Sequence, residues 1–298
     1  MTDRAQRKRL PGTPEPMVRL QGAQGLEIAA DYWGAPATPL ALLLHGGGQT
    51  RHAWKGTGEA LAASGIAAYS LDARGHGDSD WSSTADYGQD AMVADLRAVV
   101  QQLGDPRPVL IGASMGGGVC LCAVGEGHID ARALVLVDMA PKIEVAGAQK
   151  IVDFMLQKPE GFASLEEVAQ AIGSYQPHRD KPRALDGLKK NVRLDADGRL
   201  RWHWDPAYIG DRRVGTNLDE RWQRLQRAAE QLADRQVPTL LVRGGMSDVL
   251  SEAGAQAFLE TCPHAGYVNV TDAHHMVAGD RNDIFTAAVA RFLAELPA

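Results

Sequence analysis

The stretch that decides the fold is residues 108–118, Pro-Val-Leu-Ile-Gly-Ala-Ser-Met-Gly-Gly-Gly. An apolar run leads directly into a Gly-x-Ser-x-Gly pattern at 112–116, and a helix-like segment follows. This pattern is typical of a sharp turn from a buried strand into a helix, where only small neighbours let the chain pass so closely. It predicts that the Ser114 hydroxyl is exposed at the positive end of that helix. The alternative is a glycine-rich turn with a bystander serine.

Apolar runs of the same kind recur along the chain, with amphipathic segments between them. Each run is apolar nearly throughout, as expected of strands buried on both faces of a parallel sheet. The alternation predicts an α/β fold with a doubly wound, mostly parallel sheet and a leading hairpin at 17–33. The predicted strands are 40–45, 66–72, 108–114, 133–138, 238–244 and 265–270, and the predicted helices are 56–65, 88–104, 115–127, 253–262 and 282–296.

The alternation stops between residues 139 and 235. About a third of the residues in this segment are charged, against less than a fifth elsewhere. We interpret the segment as an inserted, mostly helical cap with much exposed surface. The sheet-forming core then consists of residues 17–138 and 236–298, and the basic, Pro-rich residues 1–16 are expected to form a flexible tail.

Composition narrows the class of protein. The net charge of −6 gives no electrostatic footprint for nucleic acid or anionic lipid. The apolar runs are far shorter than the roughly 18 residues that a membrane helix needs, so we expect no membrane insertion.

No secretory-type apolar region follows the basic start, and a cytoplasmic location is expected. Cys120, Cys122 and Cys262 lack zinc or redox spacing and are expected to be buried free thiols.

A second glycine-rich segment, His-Gly-Gly-Gly at 45–48, directly follows the first strand of the predicted parallel sheet. Glycines there free a backbone N–H to point into a site. The N–H groups of Gly47 and Met115 are therefore the candidate donors to a developing oxyanion. A simple turn is the alternative. Phosphate binding is disfavoured, because neither a Walker lysine nor a Gly-x-Gly-x-x-Gly pattern is present.

Together these motifs resemble those of the α/β-hydrolase superfamily, in its serine esterase or cofactor-free peroxidase-like branch with a cap domain. The resemblance extends from about residue 25 to residue 296 and does not specify a substrate. Its motifs are 45-HGGG-48, 74-RGHGDSD-80, 112-GASMG-116, 243-RGGMSD-248 and 274-HHMVAGD-280.

The resemblance implies a catalytic triad in the chain order Ser, Asp, His, and the matching residues are Ser114, Asp248 and His275. His275 would take the proton of Ser114 and return it to the leaving group. Asp248 would orient the imidazole and stabilise its charged form. A helix or loop cap is the alternative role for Asp248.

Two departures from the family pattern leave alternatives for these assignments. The family usually has glycine before the catalytic histidine, whereas this chain has His274, which makes His274 the second candidate base. Asp138 ends a predicted strand at the place where some relatives carry the triad acid. We expect His45 and His76 to brace the turns around the site and not to take part in the reaction.

The cap is expected to cover the serine and to line an apolar pocket with Trp202, Trp204, Met139 and Trp81. Alternatively, Trp202 and Trp204 form the core of the cap itself. The predicted function is a serine hydrolase that needs no cofactor or metal and cleaves a small apolar carboxylic ester or lactone with water. Perhydrolysis, amide or C–C bond hydrolysis by the same residues, and a slow-turnover, receptor-like binding protein remain alternatives.

Overall fold

A computed structural model describes residues 7–35, 39–177, 185–210, 218–277 and 282–296. The strands are β1 (Val18–Gln21), β2 (Glu27–Trp33), β3 (Leu40–Leu44), β4 (Ala67–Leu71), β5 (Val109–Ala113), β6 (Ala133–Val137), β7 (Val192–Leu194), β8 (Leu200–Trp202), β9 (Thr239–Gly244) and β10 (Gly266–Val270). The α-helices are α1 (Lys55–Ala63), α2 (Gln89–Leu103), α3 (Met115–Gly125), α4 (Val145–Met155), α5 (Leu165–Tyr175), α6 (Ala207–Gly210), α7 (Leu218–Arg235), α8 (Glu252–Thr261) and α9 (Asn282–Ala294).

Eight of the strands form one sheet in the order β1-β2-β4-β3-β5-β6-β9-β10. The six strands from β4 to β10 in that order run parallel. At one edge, β1 and β2 form an antiparallel hairpin, and β2 pairs antiparallel with β4. The predicted mostly parallel α/β sheet with a leading hairpin is therefore confirmed.

Side chains alternate between the two faces of the sheet, and both faces are buried. Leu42 and Leu110 pack in the hydrophobic cluster that includes α2 and α3. Leu43 and Ile111, one residue further along each strand, pack in the cluster that includes α1 and α9. Because helices cover both faces, each strand must be apolar throughout, which is the pattern seen in the sequence.

Helix α7 packs against α3 and α8 of the core. It lies against α3 so closely that a Cβ at Gly125 would be 2.1 Å from the carbonyl oxygen of Ala228. The thiol of Cys262, which directly follows α8, donates a hydrogen bond to the carbonyl of Ala229 in the same turn of α7. The predicted cap at 139–235 therefore extends too far, because α7 belongs to the helical layer that connects the parallel strands β6 and β9.

The remaining part of the inserted segment contains α4, α5, α6 and a two-stranded hairpin. In the hairpin, β7 pairs antiparallel with β8, with Val192 opposite Trp202. Gly198 in the connecting turn has a φ of 79°, a conformation that glycine adopts without strain. The inserted segment was predicted to be mostly helical, and this hairpin was not predicted.

The described part of the N-terminal segment, from residue 7, packs against the cap hairpin. Lys8 and Leu194 exchange two backbone hydrogen bonds of 2.8 Å, so this segment pairs with β7. The Arg7 guanidinium lies 5.1 Å from the centre of the Trp81 ring and donates to the carbonyl of Trp202. The prediction of a flexible tail at 1–16 is wrong for residues 7–16, and residues 1–6 lie outside the described part of the chain.

Buried ion pairs join the core to the cap. Arg51 is fully buried and donates to Asp72 at 2.6 Å and to Asp78 at 2.9 Å. Asp78 also accepts a hydrogen bond of 2.9 Å from Arg193 of β7. Burial raises the pKa of Asp78, but the charges of Arg193 and Arg51 outweigh it and hold that pKa below its ordinary value. The β7–β8 hairpin is thus fixed to the core by charge.

The three cysteines are buried and free, as predicted. Within the described residues, no helix is both long enough and apolar enough to cross a bilayer.

Candidate active site

Ser114 lies in the turn between β5 and α3, with φ 48° and ψ −112°. A positive φ is rare for a residue with a side chain and stores backbone strain. The glycines on either side allow it: a Cβ at Gly112 would lie 2.5 Å from the Gly116 carbonyl oxygen, and a Cβ at Gly116 would lie 2.5 Å from that of Leu44. The strained turn predicted from the Gly-x-Ser-x-Gly pattern is present.

Two backbone N–H groups beside Ser114 are available to an incoming ligand. The N–H groups of Gly46 and Gly48 donate to side chains at 2.9 and 3.3 Å. Between them, the Gly47 N–H has no acceptor among the described residues, and Gly47 lines the same cavity as Ser114. The Met115 N–H is at the first position of α3, where no acceptor exists within the helix. The geometry is therefore compatible with both predicted oxyanion donors.

His275 follows β10 and is oriented by a carboxylate. Its Nδ1 lies 2.5 Å from Oδ2 of Asp138, the residue that immediately follows β6. Since an ionised carboxylate only accepts, Nδ1–H donates and Nε2 is left as the acceptor of the ring. His275 lines the same cavity as Ser114. His275 thus has a hydrogen bond to a carboxylate of the kind that a general base needs.

Asp138 is held rigidly beneath the imidazole. Its side chain is fully buried, and its backbone φ is 48°. Besides His275, its carboxylate accepts hydrogen bonds from the Ser247 hydroxyl at 2.5 Å and from the Gly244 N–H at 2.8 Å. Three donors compensate the cost of burying this polar group, and they leave it a single orientation.

The structure does not place Asp248 on His275, contrary to the prediction. The Asp248 side chain is half exposed, and its Oδ2 lies 2.7 Å from Nζ of Lys150 on α4. Burial raises the pKa of Asp248, but the hydrogen bond and charge of Lys150, with a smaller contribution from His275, lower it overall. The loop after β9 reaches Asp138 through Ser247 instead, one residue earlier, and Asp138 is the carboxylate that contacts His275.

Two cavities meet at Ser114. The larger has a volume of about 480 Å³ and is lined by His275, Trp202 and Trp204 among others. The smaller has a volume of about 170 Å³ and includes Met139 in its mainly apolar lining. Gly47, Ser114 and Ile151 belong to both. An acyl–oxygen bond held over Ser114 would therefore have one chamber for each of its two substituents.

The predicted pocket aromatics fall in different places. Trp202 and Trp204 stack at 5.0 Å, are buried, and both line the larger cavity, so they serve as cap core and cavity wall together. Trp81 lies away from both cavities, beneath the Arg7 guanidinium. The prediction of Trp81 as a pocket residue is wrong, because the loop at 74–80 turns its end toward the N-terminal segment.

Histidines brace the loop that carries Gly47, as expected for His45 and His76. His45 Nε2 accepts from the Ala73 N–H at 3.0 Å, and His76 Nε2 accepts from Gly48. His203 was not among the predicted residues of the site. Its Nδ1 accepts from the Gly77 N–H at 2.8 Å, and its Nε2 lies 3.3 Å from the Gly48 carbonyl. Burial, and then the positive charge of Arg193, lower the pKa of His203 well below its ordinary value. Its position between two tryptophans gave no chemical signal.

In the part of the chain that is described, no cluster of three His, Cys, Asp or Glu side chains could hold a metal ion.

The sequence model of the α/β-hydrolase fold family matches residues 39–281. This chain belongs to that family.

Individual relatives are distant but cover most of the chain. An esterase of Mycobacterium tuberculosis is 24% identical over 276 residues, which is 91% of this chain and 87% of the esterase. An sn-1-specific diacylglycerol lipase of Mus musculus is 28% identical over 266 residues, which is 88% of this chain and 83% of the lipase. The crystal structure of E-2-(acetamidomethylene)succinate hydrolase is similar with a TM-score of 0.79 and 20% identity, and the match covers 93% of this chain and 98% of that one.

Proposed function

We propose that this protein is a serine hydrolase that cleaves carboxylic esters or lactones through a covalent acyl-enzyme. Ser114 is the nucleophile, His275 the general base and acid, and Asp138 the residue that orients His275. The observation that carries the proposal is the 2.5 Å hydrogen bond from His275 to buried Asp138, in a cavity that also contains the strained Ser114. An imidazole oriented in this way can activate a weakly nucleophilic hydroxyl beside it.

The reaction follows in two halves. Ser114 Oγ attacks the ester carbonyl while its proton passes to His275 Nε2, and the N–H groups of Gly47 and Met115 stabilise the oxyanion. The bond from the carbonyl carbon to the leaving oxygen then breaks, and the Nε2 proton passes to that oxygen. Water, deprotonated by Nε2, attacks the acyl-enzyme, and the acid leaves as Ser114 regains its proton. Every step uses residues of this chain and water alone.

Two kinds of comparison support this chemistry. The family is that of the α/β-hydrolase fold, and its similar members include proteins named as an esterase, a lipase and a hydrolase. Because their sequence identities to this chain are below 30%, we infer the kind of substrate from the cavities of this chain and not from these relatives. The apolar wall of Trp202, Trp204 and Met139 suits the carbon skeleton of an organic ester.

Hydrolysis of p-nitrophenyl butanoate tests the proposal. The wild-type protein is expected to turn over the ester, and Ser114→Ala and His275→Ala are each expected to lower kcat by about 10⁴-fold or more. His274→Ala is the matched control, with kcat expected to stay within about tenfold of the wild type. Full activity of a folded Ser114→Ala protein would refute the proposal, and loss with His274→Ala but not with His275→Ala would refute the choice of base.

A further inference from the structure

A lysine lines the larger cavity without any role in the proposed chemistry. Lys190 lies in the short 3₁₀ helix Leu185–Asn191 of the cap, and it is half-buried. It belongs to the same cavity lining as Ser114 and His275. Within the described residues, its ammonium group makes no hydrogen bond or ion pair, whereas neighbouring Lys189 pairs with Asp186 at 2.7 Å.

The described residues around Lys190 do not compensate its charge. Among the described residues that line the larger cavity there is no aspartate or glutamate. Burial lowers the pKa of Lys190, and the positive charge of Lys55 lowers it further. An anion bound beside Lys190 would oppose both effects on its pKa, because an opposite charge favours the protonated form of lysine. The cavity therefore has the electrostatics of an anion site.

The position of His275 indicates which half of the ester occupies the larger cavity. A general acid must lie within hydrogen-bond reach of the leaving oxygen. His275 lines the larger cavity and is absent from the lining of the smaller one. The alcohol half of the ester therefore extends into the larger cavity toward Lys190, and the acyl half enters the smaller cavity beside Met139.

The smaller cavity limits the acyl group. Its volume of about 170 Å³ is close to that of an apolar cavity of roughly 150 Å³ that accommodates benzene. Ile151, Val152 and Leu225 contribute to its apolar lining. An acyl group of about six carbon atoms would fill it.

We propose that the substrate is a short-chain carboxylic ester whose alcohol half carries a carboxylate, which Lys190 binds. This inference rests on the proposed function and names its substrate class. An ester between two hydroxy acids, or the ester of a small fatty acid with a hydroxy acid, has this structure. In both, hydrolysis releases a hydroxycarboxylate from the larger cavity.

Three esters of nearly equal size test the proposal. The first is the butanoyl ester of γ-hydroxybutyrate, with the carboxylate on the alcohol half. The second is its carboxamide, which is neutral and nearly identical in shape. The third is monobutyl succinate, an isomer of the first with the carboxylate on the acyl half. Each kcat/KM is divided by the rate constant of alkaline hydrolysis of the same ester, which removes differences in intrinsic reactivity.

The wild-type protein is expected to prefer the first ester over its carboxamide by about tenfold to hundredfold, as for a hydrogen bond to a charged group. It should also prefer the first ester over monobutyl succinate. Lys190→Gln is expected to bring the ratio of ester to carboxamide close to one. Lys189→Gln removes the same charge one residue away, outside the cavity lining, and should retain the wild-type ratio.

Several results would overturn the proposal. The first is a ratio of ester to carboxamide near one in the wild-type protein, and the second is a wild-type ratio that Lys190→Gln leaves intact. The others are an equal loss of this ratio in Lys189→Gln and a preference for monobutyl succinate over the first ester. If p-nitrophenyl butanoate is hydrolysed in a Ser114-dependent way while any of these holds, the substrate class alone is wrong. If no ester is hydrolysed and Ser114 reacts with no organophosphonate, the proposed function fails and the substrate class fails with it.

Discussion

At the scale of single residues, the site depends on which carboxylate reaches His275. Asp138 is buried and accepts hydrogen bonds from three groups, one of which is the imidazole. Asp248 is half exposed and paired with Lys150. A carboxylate in water and in an ion pair gives little orientation to a neighbouring ring, whereas a fixed one selects the tautomer that leaves Nε2 free to accept a proton.

Matched amide substitutions separate the two carboxylates. Asp138→Asn keeps the shape of the side chain but can donate to Nδ1, which favours the wrong tautomer, so kcat should fall by about 10⁴-fold. Asp248→Asn breaks only the pair with Lys150, and kcat should stay within about fivefold of the wild type. Steady-state hydrolysis of p-nitrophenyl butanoate by both variants is the measurement. The reverse order of effects would assign the acid to Asp248.

The sequence could single out Ser114 and the histidine pair as candidates because each has a local signature. The sequence could not show whether Asp138 or Asp248 contacts the histidine. Both aspartates lie in loops that follow parallel strands, at the same edge of the sheet. The choice depends on a difference of one residue in the loop after β9, which brings Ser247 to Asp138 and turns Asp248 outward. The spacing of residues along the chain does not reveal which side chain of this loop reaches Asp138.

At the scale of elements, the sequence predicted the core accurately and the cap poorly. Strands buried on both faces and amphipathic helices have strong periodic patterns, and all of them form near the predicted bounds. The β7–β8 hairpin had a usable signal that was missed: residues 192–194 and 199–202 alternate apolar and basic residues around an Asp-Gly turn. Its dense charge suggested exposed helices, whereas Arg193 is buried against Asp78.

The N-terminal segment shows why charge content is a weak guide to order. Arg7 and Lys8 look like part of a solvated basic tail, yet the backbone of Lys8 extends the β7–β8 hairpin. Arg7 is buried between the Trp81 ring and Asp195. Trp81 lies more than 70 residues away in the chain, and Leu194, Asp195 and Trp202 lie almost 200 residues away, so no local pattern could reveal these contacts.

At the scale of the whole molecule, two buried histidines make stability depend on pH, and one of them, His203, also links the cap to the core. Burial lowers the pKa of His203 and of His45 below the ordinary value of about 6.5. In the unfolded chain both would take up a proton near that value. Between the folded and unfolded pKa values the unfolded state holds more protons, so their contribution to stability is present above about pH 6.5 and is lost as the pH falls.

The free energy of unfolding should therefore decrease on acidification from about pH 7.5 to pH 5, by up to about 1.4 kcal/mol per pH unit for each histidine. Urea denaturation across this range measures it. In His203→Gln the slope should be smaller by the contribution of one histidine, whatever the change in absolute stability. An identical slope in the variant and the wild type would show that His203 does not titrate on unfolding.

The claim on which the rest depends is that Ser114 becomes covalently acylated. Intact-protein mass spectrometry after reaction with a fluorophosphonate, followed by peptide mapping, tests it most directly. We expect one phosphonyl group per chain, located on the peptide that contains Ser114, and none on Ser114→Ala. A folded wild-type protein that stays unmodified, or a label on a different residue, would contradict the account.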